Sequence, residues 1–131
     1  MCLVTKQKKP LTAKENIPIV KLVKISKGVI RSAFETSFIW EIDKAYKSNL
    51  VYDGVKDFYF DIIAWSKYCG ISKYIYVHQA FHSMSEKRFL YSAWMFKGAK
   101  GYIPKGALYF KDETGLYASD KLVLTKIIKK K

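Results

Sequence analysis

The sequence predicts an α+β fold: a single domain built on a twisted, mostly antiparallel sheet with about two helices. Three observations carry this expectation. Extended runs rich in β-branched and aromatic residues recur along the chain, IPIVKLVKI near the start and KLVLTKII at the end. Short turn signals containing Gly, Pro, Asp or Asn separate such runs. Helical spacing of apolar residues is confined to the middle of the chain. At 131 residues and 15.2 kDa, half of them hydrophobic, the chain can bury one core but not two.

Taken in order, residues 1 to 16 read as a basic N-terminal arm, because Lys6, Lys8, Lys9 and Pro10 interrupt any periodicity. Residues 17 to 131 then form the domain. Ile17 to Ile25 is a strand with Pro18 at its first turn of the ladder, where a missing amide is tolerated. Ser26-Lys27-Gly28 is a turn leading into a short extended piece ending at Arg31. Ala33 to Ile42 alternates as a strand that places Phe34, Thr36, Phe38, Trp40 and Ile42 on one face. Asp43 to Asn49 is a polar connection, and Asp53-Gly54 marks a second turn. Within VKDFYFDIIAWSKYCG, the spacing of Val55, Phe58, Ile62 and Trp65, closed by Gly70, predicts a helix over the second half.

Tyr74 to Phe96 is the most informative stretch. Tyr74 to Val77 is a strand, and Ser83-Met84-Ser85-Glu86 has the form of a capping box, so a helix is expected to start from Ser83. Gly98 and Gly101 read as a tight connection, Pro104-Lys105-Gly106 as a turn, and residues 111 to 115 as a hairpin loop. Lys121 to Ile128 is the last strand, and Lys129 to Lys131 a solvated tail.

The formal charge of +13 is uneven: +7 over residues 1 to 31, −3 over 32 to 66 and +9 over 67 to 131. Such a field gathers polyanions, nucleotides or acidic protein surfaces. The 10 Tyr, 8 Phe and 3 Trp add stacking surface and favour a homo-oligomer. Cys2 and Cys69 form no CxxC, so neither a zinc ribbon nor a disulfide framework is indicated, and a reducing cytoplasm fits. No apolar run approaches membrane length, and the N-terminus lacks the pattern of a signal peptide.

The candidate site collects around the central stretch. His78 and His82, Ser83 and Ser85, and Lys87 and Arg88 surround an expected helix start, which favours an anion. Lys21, Lys24, Arg31 and Lys105 can converge on phosphates, while Phe81, Tyr109 or Tyr76 can stack on a base. Two histidines four apart without a third ligand do not make a metal site, and the glycine fingerprints of phosphate and dinucleotide loops are missing, so no metal or cofactor is expected. Ser83 or Ser85 with His78 or His82 would supply a nucleophile and base, but no nucleophile elbow accompanies them.

The pieces MCLV, AFHSMSEK, GYIPKGALYFKD and ASDKLVL resemble a group of short proteins of phages and gut bacteria, mostly without assigned function. The order of elements also resembles a reduced ADP-ribosyltransferase fold, with Ser83-Met84-Ser85 as its Ser-x-Ser segment. No glutamate stands at Ser119-Asp120-Lys121-Leu122 where that pattern places its catalytic residue. The resemblance therefore implies a nucleotide pocket without transferase chemistry, in a phage counter-defence protein that soaks up a host immune signal in the cytoplasm of the infected cell. The expected function is non-catalytic sequestration of an anionic, nucleotide-derived small molecule. A basic nucleic-acid-binding module is the alternative, and an ADP-ribosyltransferase-like or hydrolytic enzyme the second alternative.

Overall fold

Ten residues of one strand, Ile17–Ser26 (β3), run through the middle of the protein and hold its larger sheet together. The computed structural model describes residues 3–5, 7, 9–33, 35–54, 75–91 and 97–128. Before β3 come β1 (Leu3–Thr5) and β2 (Leu11–Thr12). After it come β4 (Val29–Ser32), β5 (Ile39–Trp40), β6 (Ala45–Lys47), β7 (Val51–Gly54), β8 (Ile75–Gln79) and β9 (Phe81–Met84). Helix α1 (Glu86–Tyr91) is followed by β10 (Lys97–Ile103), β11 (Leu108–Lys111), β12 (Leu116–Ser119) and β13 (Lys121–Ile128). Every strand pairing among the described residues is antiparallel. The structure is thus a mostly antiparallel sheet protein with one short helix among the described residues. The helix expected within residues 55 to 70 lies outside them, as does the tail 129–131.

The larger sheet has the order β2-β11-β12-β9-β3-β10-β13-β6, with β4 and β5 branching from β3. It curls around one core, because Tyr109 near one end and Tyr46 at the other pack against the same buried cluster of Ile19, Val23, Trp40, Phe81, Ile103, Leu122 and Leu124. The smaller sheet, β1-β8-β7, buries Leu3 and Val77 against Phe110 and Ala118 of β11 and β12. The chain passes between the sheets at Ala80, where β8 ends and β9 begins one residue later.

Several elements differ from the sequence reading, each for a tertiary reason. The first sixteen residues, read as an arm, supply strands to both sheets, with Leu3 and Ala13 buried. The strand expected over residues 33 to 42 is reduced to Ile39–Trp40, because Arg31 and Ile30 pair there and the chain turns at 36–37 to reach them. The polar stretch after Asp43 contains β6, which edges β13, and Asp53-Gly54 ends a strand rather than making a turn. Ser26-Lys27-Gly28 does turn: Ser26 pairs with Val29, and Lys27 (φ 52°) and Gly28 (φ 77°) form a tight two-residue hairpin loop of the primed type.

The capping register is also shifted by two residues. Ser83 lies within β9, paired with Tyr117, and the hydroxyl that accepts from a helix amide is Ser85 Oγ, from Arg88 N at 3.2 Å. Sheet pairing claims Ser83 first, so the cap falls to the next serine that is free of the ladder.

Gly98 and Gly101, expected in a connection, lie inside β10 and allow two close approaches. A Cβ at Gly98 would stand 2.5 Å from the Phe89 ring of α1, so the glycine lets the helix settle on the sheet. At Gly101 the pairing with β13 shifts register, giving Lys100↔Lys126 but Gly101↔Leu124, and a Cβ there would stand 2.1 Å from the Val123 carbonyl oxygen. This β-bulge inserts Thr125 and reverses the faces of everything beyond it. Leu122 and Leu124 face the core on one side of the bulge, and Ile127 does so on the other.

Two outcomes check these assignments. Gly101→Ala should destabilise the protein by about 2 kcal/mol or more in denaturant unfolding, because the obstructing atom is backbone and cannot swing aside. Ser85→Ala should cost about 1 kcal/mol, the worth of a helix cap, whereas Ser83→Ala should leave stability within about 0.5 kcal/mol, having no hydroxyl bond among the described residues to lose.

Candidate functional site

β3 has one partner, β10, along one edge, but its other edge is shared. Val20 pairs with Met84 of β9, and from Val23 onward the partner is β4. Between these two pairings the sheet forks, and a cleft of about 470 Å³ opens in the fork. One wall is Leu22, Ser32 and Ala33, and the other is the run Gln79 to Met84. Ser48, Asn49, Phe38 and Glu35 complete the rim. A cavity of this size, mostly apolar with a few polar groups, is within the range of small-molecule sites.

Lys21 crosses the fork. Alternation along β3 puts it on the core face with Ile19 and Val23, and it is only 8% exposed. Its ammonium donates to the His82 carbonyl oxygen at 2.7 Å and lies 5.6 Å from the centroid of the Trp40 ring. No carboxylate among the described residues pairs with it, and burial pushes its pKa down to about 8. Trp40 is held in place by its Nε1 donating to Ser32 Oγ at 2.7 Å, and Phe38, Trp40, Tyr46 and Phe81 form an aromatic cluster of tilted and edge-to-face pairs with centroids 4.8 to 5.5 Å apart.

Two hydroxyl groups of the cleft are buried with no hydrogen-bond partner among the described residues: Ser83 Oγ, in a residue 3% exposed, and Ser48 Oγ. Such orphans are uncommon in folded proteins, and on a cavity wall they stand ready for a ligand or a water. His82 is next to Ser83 in sequence but points to the opposite face of β9, where its cross-strand neighbour is Ala118. Burial, and then the nearby Lys21 charge, push its pKa down to about 4, so the ring is neutral at pH 7. The opposed directions of these side chains do not make a nucleophile–base pair.

The structure brings together Lys21, Phe81, His82 and Ser83 from the candidate residues and leaves the others elsewhere. Ser85 caps α1, Lys87 is exposed on it, and Arg88 Nη1 donates to the Thr114 carbonyl oxygen at 3.2 Å, tying the helix to the β11–β12 hairpin. Lys24 and Arg31 face one another across β3 and β4. Lys105 lies in the β10–β11 turn, its amide donating to Asn16 Oδ1, and Tyr109 packs on Tyr117 beside a separate shallow groove. The side chains of His78 and Tyr76 lie outside the described residues. With six residues, α1 is too short to serve as the anion site expected of it.

Ser32, Phe38, Trp40, Ser48 and Asn49 are the residues that sequence reasoning missed. The alternation that places Phe38 and Trp40 on one face was the available signal, but the meeting of Trp40 with Lys21 depends on β5 folding back over β4. Among the described residues no group of His, Cys, Asp and Glu is placed to hold a metal ion, and no helix is long and apolar enough to cross a membrane. Comparison with protein-family models, with curated proteins and with solved structures gives no match.

The two titrations give slopes of stability of the same sign in separate pH windows. For Lys21 the folded pKa is below the unfolded value, so the unfolded chain binds the extra proton between pH 8 and 10.5 and stability rises across that window. The gain should be of order 3 kcal/mol relative to Lys21→Met, whose curve lacks this rise. For His82 the same inequality means that stability falls as pH drops from 6.5 towards 4, again by of order 3 kcal/mol, and His82→Gln should remove that loss. Urea unfolding of the three proteins across pH reads both effects.

Proposed function

We propose that the forked cleft binds a small anionic ligand with a planar aromatic part, a nucleotide or nucleotide-derived molecule, and holds it without turnover. The observation that carries this reading is the Lys21 ammonium, buried in the fork with no described carboxylate beside it. A buried charge of this kind costs stability, and an anionic group of a ligand offsets that cost by supplying the missing partner. The aromatic wall of Phe38 and Phe81 offers a surface for a planar ring, and the unpartnered hydroxyl of Ser83 offers a donor or acceptor. Sequestration is the role that matches such a site, and a counter-defence setting rests on the resemblance of the sequence alone.

The test is a binding screen against mono-, di- and cyclic nucleotides by calorimetry, followed by heat denaturation and chromatography of the released ligand. Release of the molecule unchanged is the expected result, and a processed product would replace storage with catalysis. Lys21→Met should weaken binding by a factor of about 10 to 100 while leaving the protein folded, the worth of one charge-assisted contact. Affinity of the wild-type protein should fall as pH rises beyond about 8, where the free ammonium loses its proton. Equal affinity of wild type and Lys21→Met would remove the cleft as the site.

A further inference from the structure

The strand register places like charges directly opposite one another three times on one face of the larger sheet. Lys24 faces Arg31 across β3 and β4, Lys100 faces Lys126 across β10 and β13, and Lys121 faces Lys47 across β13 and β6. Residues directly opposite in an antiparallel ladder share a face, and like charges there are unfavourable. The three pairs lie on the same face. Lys100 is opposite Val20, which has the parity of Lys24 along β3, and Val123 is opposite Tyr102, which has the parity of Lys100 along β10.

The bulge at Gly101 is what completes the set. Without it, Lys126 would have the parity of Leu122 and Leu124 and would point into the core; with Thr125 inserted, it points outward beside Lys100. The pairs step diagonally over five adjacent strands, β4-β3-β10-β13-β6. At ~4.8 Å between strands and ~3.3 Å per residue, the stripe runs for roughly 30 Å. Lys24, Lys47, Lys100 and Lys126 are exposed, and Arg31 and Lys121 half-buried. Lys100 also meets Glu86 of α1 at 3.8 Å; Arg31, Lys47, Lys121 and Lys126 make no ion pair with a described residue. Tyr102, half-exposed, stands on this face two residues from Lys100.

From this arrangement we infer that the basic stripe over β4, β3, β10, β13 and β6 is a binding surface for single-stranded nucleic acid, with its lysines tracking the phosphates and Tyr102 stacking on a base. A polyanion is the partner that suits cross-strand basic pairs, since a phosphate placed between two cationic groups screens both. An aromatic side chain within a basic track is the feature that distinguishes a single strand from a duplex, whose bases are already stacked. Leu22 of the cleft wall shares the face of Lys24, but Lys21, which carries the small-ligand reading, is on the opposite face of β3, so the two readings are tested by different variants.

The experiment is fluorescence anisotropy with a labelled oligothymidylate of about 15 nucleotides, a length in the range that single-strand folds occupy, across a salt series. Wild type should bind at low salt, with log Kd rising against log salt at a slope of about 4, as expected if five or six phosphates are neutralised. Lys121→Glu with Lys126→Glu should weaken binding about tenfold or more, and Tyr102→Ala by about tenfold with little change of the salt slope. Reversal of Lys9 and Lys14, outside the stripe, should change affinity by less than about twofold. Lys121→Gln with Lys126→Gln provides the same test with less perturbation, and melting curves confirm that each variant is folded. Absence of binding at low salt, equal losses from the stripe and control reversals, tighter binding of a duplex, or an unaffected Tyr102→Ala would each overturn the inference. Lys21→Met should bind the oligonucleotide as wild type does.

Discussion

The structure depends on how β3 divides its hydrogen bonds. A ten-residue strand has two edges to satisfy, and β10 covers one of them from Ile17 to Val23. No single strand covers the other. β9 meets it at Val20 and β4 takes over from Val23, so the edge between them is closed by the Ala33 amide donating to the Leu22 carbonyl oxygen and by the side chain of Lys21 reaching the His82 carbonyl oxygen. Buried backbone groups that lack a partner are costly, and a long donor side chain bridges a gap that a ladder cannot. The candidate cleft is thus a direct consequence of the branch in the sheet.

The same branch separates the surroundings of that strand into regions with different work. On one side the curled sheet encloses its aromatic and aliphatic core around Trp40 and Phe81. On the other, α1 covers Val20 and Leu22 through Phe89, and the small sheet covers Phe110 and Ala118. Among the described residues, the diagonal of cross-strand basic pairs lies beyond these two packings and meets α1 where Glu86 reaches Lys100. A single inserted residue at the β10–β13 bulge decides which side chains of the last strand belong to the core and which to that surface.

Much of the sheet was legible in the sequence, because period-two alternation with β-branched residues survives whatever a strand pairs with. Ile17–Ser26 and Lys121–Ile128 were placed nearly to their ends, as were the turns at Lys27-Gly28 and Lys105-Gly106 and the hairpin before Gly115, where Asp112 Oδ1 accepts from Thr114 and Leu116 amides. Short strands were not legible. Leu3–Thr5, Leu11–Thr12 and Ala45–Lys47 carry too few residues to show a period, and they are strands because neighbouring edges offer them partners. In the candidate site, Lys21, Phe81, His82 and Ser83 could be named from their types, while Trp40, Ser32 and Ser48 could not, since nothing local links them to a lysine far away in sequence.

What the sequence determined by itself is a basic, aromatic-rich chain whose strands alternate and whose turns are set by glycine at positive φ. It also placed charge and histidine together in the stretch from Phe81 to Arg88. Tertiary structure decided that this stretch is first a strand and only then a helix, that Ser85 rather than Ser83 caps it, and that Lys21 rather than Arg88 supplies the buried cation. The physical reason is that hydrogen-bond pairing between distant strands outweighs a local capping preference of about 1 kcal/mol. Register then fixes the face on which each side chain emerges, and register is a property of pairs of strands.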